Sequence, residues 1–118
     1  MNVGSDPKDR RLLDGMIGTL QSVFPSVYLM EVPETFNYIL YASVQPTRLE
    51  NLYQNYLNLS SQEGTHPLLL ASIRRFIENQ QPVALSNIVF TDDRAPVEWI
   101  TNTMVLNYLV QNKMEFQP

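Results

Sequence analysis

The stretch VYLMEVPETFNYILYASV, Val27 to Val44, decides the fold, because two β-rich runs flank a break of turn-forming residues. Val27 to Val32 is dense in β-branched and aromatic side chains with few polar interruptions, the composition of a strand covered on both faces. Pro33, Glu34 and Thr35 form a short connection. Phe36 to Val44 then alternates, with Phe36, Tyr38, Leu40 and Ala42 on one face and Asn37, Ile39, Tyr41 and Ser43 on the other. The simplest pairing is an antiparallel hairpin. A two-stranded ribbon is marginal alone, so a helix or further strands must cover it.

Working outward toward the N-terminus, Leu13, Met16, Ile17, Leu20 and Phe24 recur at three- and four-residue spacings, with Leu12 and Val23 widening the stripe. Asp6 is placed as an N-cap and Pro7 as the first helical residue, so a helix is expected from there to Pro25. Gly15 and Gly18 each cost about 1 kcal/mol relative to alanine inside a helix, which points to close packing against a neighbour. Toward the C-terminus, Thr47 is placed to cap a helix carrying Leu49, Leu52, Tyr53, Tyr56 and Leu57. A third helix is expected over Leu68 to Asn79, with Leu69, Ile73, Phe76 and Ile77 inward. Val83 to Phe90 reads as extended chain or a short strand. A last helix is expected from Pro96 to Asn112 with an inner stripe of Val97, Ile100, Met104, Tyr108 and Leu109. The expected class is α/β, α+β as an isolated piece: one helix, a hairpin and three helices in a single domain over residues 1–118.

Composition narrows the function. In 118 residues, 44% are hydrophobic and 17% charged, which describes a folded domain rather than a disordered chain. A formal charge of −4 argues against a nucleic-acid partner, which needs a concentrated positive surface. The absence of cysteine excludes disulfides, thiolate nucleophiles and thiolate metal sites. No apolar run approaches the ~18 residues of a membrane span, so direct membrane insertion is not expected and a cytoplasmic location is. His66 is the single histidine, which rules out a histidine-rich metal centre within one chain. The serines lack the G-x-S-x-G setting of a hydrolase nucleophile. Trp99, Tyr108 and Phe90 read as core residues before they read as an aromatic wall for a ligand.

The chemistry-bearing block is TDDRAPVE, Thr91 to Glu98. Asp92 or Asp93 can cap the last helix, Pro96 suits its first turn, and Glu98 favours the positive end of its dipole. The same three carboxylates are also the weak candidates for holding a cationic amine or a hard cation through oxygen ligands.

That block resembles the closing TDD-x-APVE signature of bacterial spermidine synthase-like proteins, a family built on the class I methyltransferase fold and often fused to a membrane-embedded N-terminal region. VFPSVYLMEVP (Val23 to Pro33) followed by NYILYAS (Asn37 to Ser43) looks like the last helix and antiparallel hairpin of that Rossmann-like fold. The resemblance implies a polyamine-biosynthesis transferase as parent, using decarboxylated S-adenosylmethionine or S-adenosylmethionine. It implies that this chain is the C-terminal portion of a larger catalytic domain, whose remainder is its partner, and that any membrane anchor belongs to the parent. Such proteins hold the cofactor through a glycine-rich turn and an acidic residue. The glycines here, at positions 4, 15, 18 and 64, form no such loop, and no D-x-D element is present. The expectation is therefore a chain with no catalytic residues, bound cofactor or metal of its own. The alternative is a non-catalytic interaction module, dimerising through the hairpin edge or the terminal helix.

Overall fold

The computed structural model describes residues 1–91 and 97–115, with side chains placed as far as residue 112. The elements run β1 (Asn2–Gly4), α1 (Arg11–Gln21), β2 (Ser26–Glu31), β3 (Asn37–Ser43), α2 (Leu49–Ser60), α3 (Pro67–Asn79), β4 (Gln80–Gln81) and α4 (Val97–Glu115). Among the described residues, four helices and a four-stranded sheet make the fold α+β. The expected hairpin is present, with Leu29 opposite Leu40 and Tyr28 opposite Tyr41. It is not a bare ribbon, because the sheet order is β1-β3-β2-β4 and every neighbouring pair is antiparallel. Its two outer edges pair with β1 and, at Leu29 and Met30, with β4.

β1 and β2 both run opposite to β3, so they run the same way as each other, joined by α1. The sheet thus combines a parallel-sense β-α-β connection with a reversed strand inserted between its two strands. On one face Val3, Leu29, Tyr38 and Leu40 meet Leu12, Leu13 and Ile17 of α1 and Ile100 of α4 in a single buried cluster. On the other face the α2–α3 hairpin lies against β2 and β3, with Phe76 edge-on to Tyr41 and Tyr28. The expectation that β2 is covered on both faces holds: Leu29 and Met30, on opposite faces, are both buried.

Several local readings shift. The first helix begins at Arg11 rather than after Asp6, because Asp6 spends its capping chemistry on a turn: its carboxylate accepts from the Lys8 N–H at 2.9 Å and its carbonyl from the Asp9 N–H at 3.0 Å. Val23 leaves the stripe and is exposed once the helix ends at Gln21. Thr47 does not cap α2; its N–H donates to Ser26 Oγ at 2.9 Å and its hydroxyl meets the Tyr28 hydroxyl at 2.5 Å, tying the helix entry to β2. Tyr53, Leu57 and Leu69, expected inward, are exposed. Among the described side chains of α4 only Ile100 is buried, and Tyr108 and Leu109 are exposed.

Residues 83–90 are extended without joining the sheet. Side chains of α1 supply the partners that a strand would otherwise have given. Gln21 accepts from Ser86 N–H and donates to the Ala84 carbonyl, Ser86 Oγ donates to the Asp14 carbonyl, and Phe90 N–H donates to Thr19 Oγ1. This strap crosses the face of α1 bearing Gly15 and Gly18, where a Cβ would collide with the Phe90 ring and the Ile88 carbonyl respectively. Close packing is what the two glycines serve.

Candidate functional site

Ligands of open α/β sheets bind outside the carboxyl ends of their parallel strands. In this fold that end of β1 is the loop from Ser5 to Arg10. Ser5, almost wholly buried, donates its N–H to the Phe36 carbonyl at 2.7 Å and places its hydroxyl 3.3 Å from the Asp6 and Asp9 carbonyls. Asp9 accepts both Nε (2.8 Å) and Nη2 (2.6 Å) of Arg11, a bidentate pair whose hydrogen bonds hold the Asp9 carboxyl below its ordinary range and raise the Arg11 guanidinium. The same guanidinium lies 5.3 Å from the centre of the Trp99 ring, and Asp6 N–H points at Met104 Sδ, so the loop is stitched to α4.

Of the expected acidic triplet, Glu98 stands exposed in the first turn of α4, next to Trp99. Asp92 and Asp93 lie outside the described residues. Among the described residues no three His, Asp or Glu side chains converge to hold a metal ion. Asp9 has both oxygens committed to Arg11. The loop is thus a braced structural joint, and the glycines do not convert it into a cofactor cradle: Gly4 ends β1, Gly15 and Gly18 lie under the strap, and Gly64 (φ 87°) shapes the α2–α3 turn.

A largely apolar concavity lies on the opposite face. Between the sheet and the α2–α3 hairpin is an open groove of about 420 Å³, floored by Tyr28 and Tyr41, walled by Leu52, Ile73 and Phe76, and fringed by Thr47, Arg48, Asn51, Asn55 and Ser72. Its volume and apolar walls with a few polar groups match small-molecule sites. Arg48 is its one charged lining residue. The sequence reading missed this groove because Tyr28 and Tyr41 look like ordinary strand residues until register places them opposite each other beneath Phe76. The one local signal was the second β3 face, Ile39 and Tyr41, which is too apolar to face water.

The remaining single residues have structural roles. His66 is the N-cap of α3, its Nδ1 accepting from Leu68 N–H at 3.1 Å, with Pro67 as the first helical residue. Trp99 and Tyr108, expected in the core, are exposed and meet Arg11 and Phe36 (5.3 Å between ring centres) respectively, whereas Phe90 packs on the Gly15 face. Among the described residues no helix is long and apolar enough to cross a membrane. No protein-family model matches the chain, and no curated protein or solved structure is significantly similar to it.

Proposed function

We propose that the chain is the C-terminal segment of a spermidine synthase-like transferase domain. Its parent would move an aminopropyl group from decarboxylated S-adenosylmethionine, or a methyl group from S-adenosylmethionine, to an amine or other nucleophile. The carrying observation is topological: β1 and β2 run in one sense through α1, and β3 is reversed between them. Mixed sheets in which one strand runs against the others are common among large α/β folds, and the inserted, reversed β3 is in keeping with the last helix and hairpin to which VFPSVYLMEVP and NYILYAS are similar. Among the described residues nothing pairs with the outer edge of β1, so a larger sheet can continue there. The chain is also drawn out: its radius of gyration is 17.5 Å, against roughly 13.5 Å expected for a compact domain of this length. More large apolar side chains are exposed than buried among the described residues.

By itself the segment transfers nothing, since it brings neither glycine turn nor acidic base. The parent's reaction forms a bond from the amine nitrogen to the transferred carbon, breaks the carbon–sulfur bond of the sulfonium, and releases a thioether and a proton. A cytoplasmic site for that chemistry, with any membrane anchor elsewhere in the parent, belongs to the same proposal.

The test is the complete reading frame. Its upstream sequence should contain a strand, a glycine-rich turn and an acidic pair, and its product should release methylthioadenosine from decarboxylated S-adenosylmethionine in the presence of a diamine, or S-adenosylhomocysteine from S-adenosylmethionine. A frame that opens at Met1 overturns the proposal. A second reading, an interaction module, has one observation in its favour: Trp99, Leu106 and Val110 form an exposed apolar stripe on α4 at spacings of seven and four. Light scattering that shows a dimer broken by Leu106→Glu, from a frame opening at Met1, would select it.

A further inference from the structure

We propose that the groove beneath the α2–α3 hairpin binds a small organic carboxylate with a ring-sized apolar body, at a site separate from any transferase centre. Position is the first argument. The groove sits where Thr47 bonds Ser26, at the amino end of β2, and on the sheet face opposite the α1–α4 core. Substrates of an α/β sheet approach its carboxyl ends, so this groove lies outside the crevice that the transferase reading uses.

Shape is the second argument. Tyr28 and Tyr41 stand directly opposite each other across β2 and β3, and both meet Phe76 edge-on, with interplanar angles of 86° and 90°. These rings, with Leu52 and Ile73, offer an apolar slot that a planar ring can enter. Charge is the third and sets the ligand's sign. Among the described residues no carboxylate lines the groove, whereas Arg48 does, and it makes no ion pair there. An arginine fork matches a carboxylate through two parallel hydrogen bonds. α2 begins beside it at Leu49 without a side-chain cap, and Glu50 of its first turn stays outside the groove lining, so Arg48 is the charge a ligand meets. An ammonium group would meet that guanidinium as a like charge, so the aromatic slot is not a cation cage despite its rings.

A matched pair of probes tests this: 3-phenylpropionate and 3-phenylpropylamine share a body and differ in charge. Titrated into the ¹⁵N-labelled 118-residue chain, the carboxylate should give saturable amide shifts around Tyr28, Tyr41, Arg48 and Phe76, and the amine none there. Arg48→Gln, at an exposed position where folding should be unaffected, should weaken carboxylate binding about tenfold. Ser72→Trp should abolish it by filling the slot. Equal binding of the amine, shifts that map elsewhere, an unchanged affinity in Arg48→Gln, or no saturable shift for the carboxylate would each overturn the assignment. None of these outcomes bears on the transferase reading, which is tested by the reading frame.

Discussion

The carbonyl oxygen of Ile88 occupies the space in which a side chain on Gly18 would stand, although the two residues belong to different elements seventy positions apart. A helix would normally gain about 1 kcal/mol from alanine in place of glycine. Here Gly18→Ala must displace backbone, so a net loss of about 1–3 kcal/mol is expected. Gly15→Ala meets only the far end of the Phe90 ring, which can turn away, and should cost less. Urea midpoints of the two variants check the order, and a more stable Gly18→Ala would show that the strap does not lie on α1.

Glu34 has φ 62°, in the turn where Thr35 N–H donates to the Val32 carbonyl at 3.2 Å. That position follows Pro33 and has the left-handed backbone that favours glycine or asparagine. Glu34→Gly should raise stability by about 0.5–1 kcal/mol by removing the strain, less the entropy that glycine adds to the unfolded chain. Thermal melting reads the sign.

Core depth separates two leucines on amphipathic helices. Leu13 has no exposed surface at the centre of the buried cluster, so Leu13→Ala should cost about 3–5 kcal/mol. Leu57 of α2 is 60% exposed, and Leu57→Ala should change stability by less than about 0.5 kcal/mol. Denaturant titration of both variants distinguishes the α1 face as the core from the α2–α3 layer as its thin cover.

The Asp9–Arg11 pair predicts an acid-sensitive joint. Hydrogen bonds from Arg11 depress the Asp9 carboxyl in the folded chain, so its contribution is full above the unfolded aspartate value, about 3.9. It is lost as pH falls through the lower folded value. Arg11→Gln should therefore be less stable than the parent at neutral pH, and the gap should close in acid well below 3.9. A gap that stays constant with pH would mean that the carboxylate is not engaged.

Much of the architecture is legible in residue pattern, and the exceptions have physical causes. The hairpin is readable because Val27 to Val44 combines β-rich runs with a proline-led turn. β1 is not, because three residues carry no period; Asn2–Gly4 becomes a strand only by pairing with Ile39, Tyr38 and Asn37. β4 has only two residues and depends in the same way on Leu29 and Met30. The start of α1 is not legible because Asp6-Pro7 suits a helix entry and a tight turn equally, and the turn prevails where Ser5 is anchored to Phe36 and the loop to Met104. The tight packing at Gly15 and Gly18 was readable from their cost to the helix, but not the partner. Of the acidic site, Glu98 lies among the described residues and Asp92 and Asp93 lie outside them. The groove depends on strand register and helix docking, which no single segment encodes.

Calorimetric titration of decarboxylated S-adenosylmethionine into this chain, and into the product of its complete reading frame, tests the central claim most directly. The account predicts no measurable heat of binding for the segment and saturable binding for the complete product. Tight, stoichiometric binding by the 118-residue chain alone would contradict it.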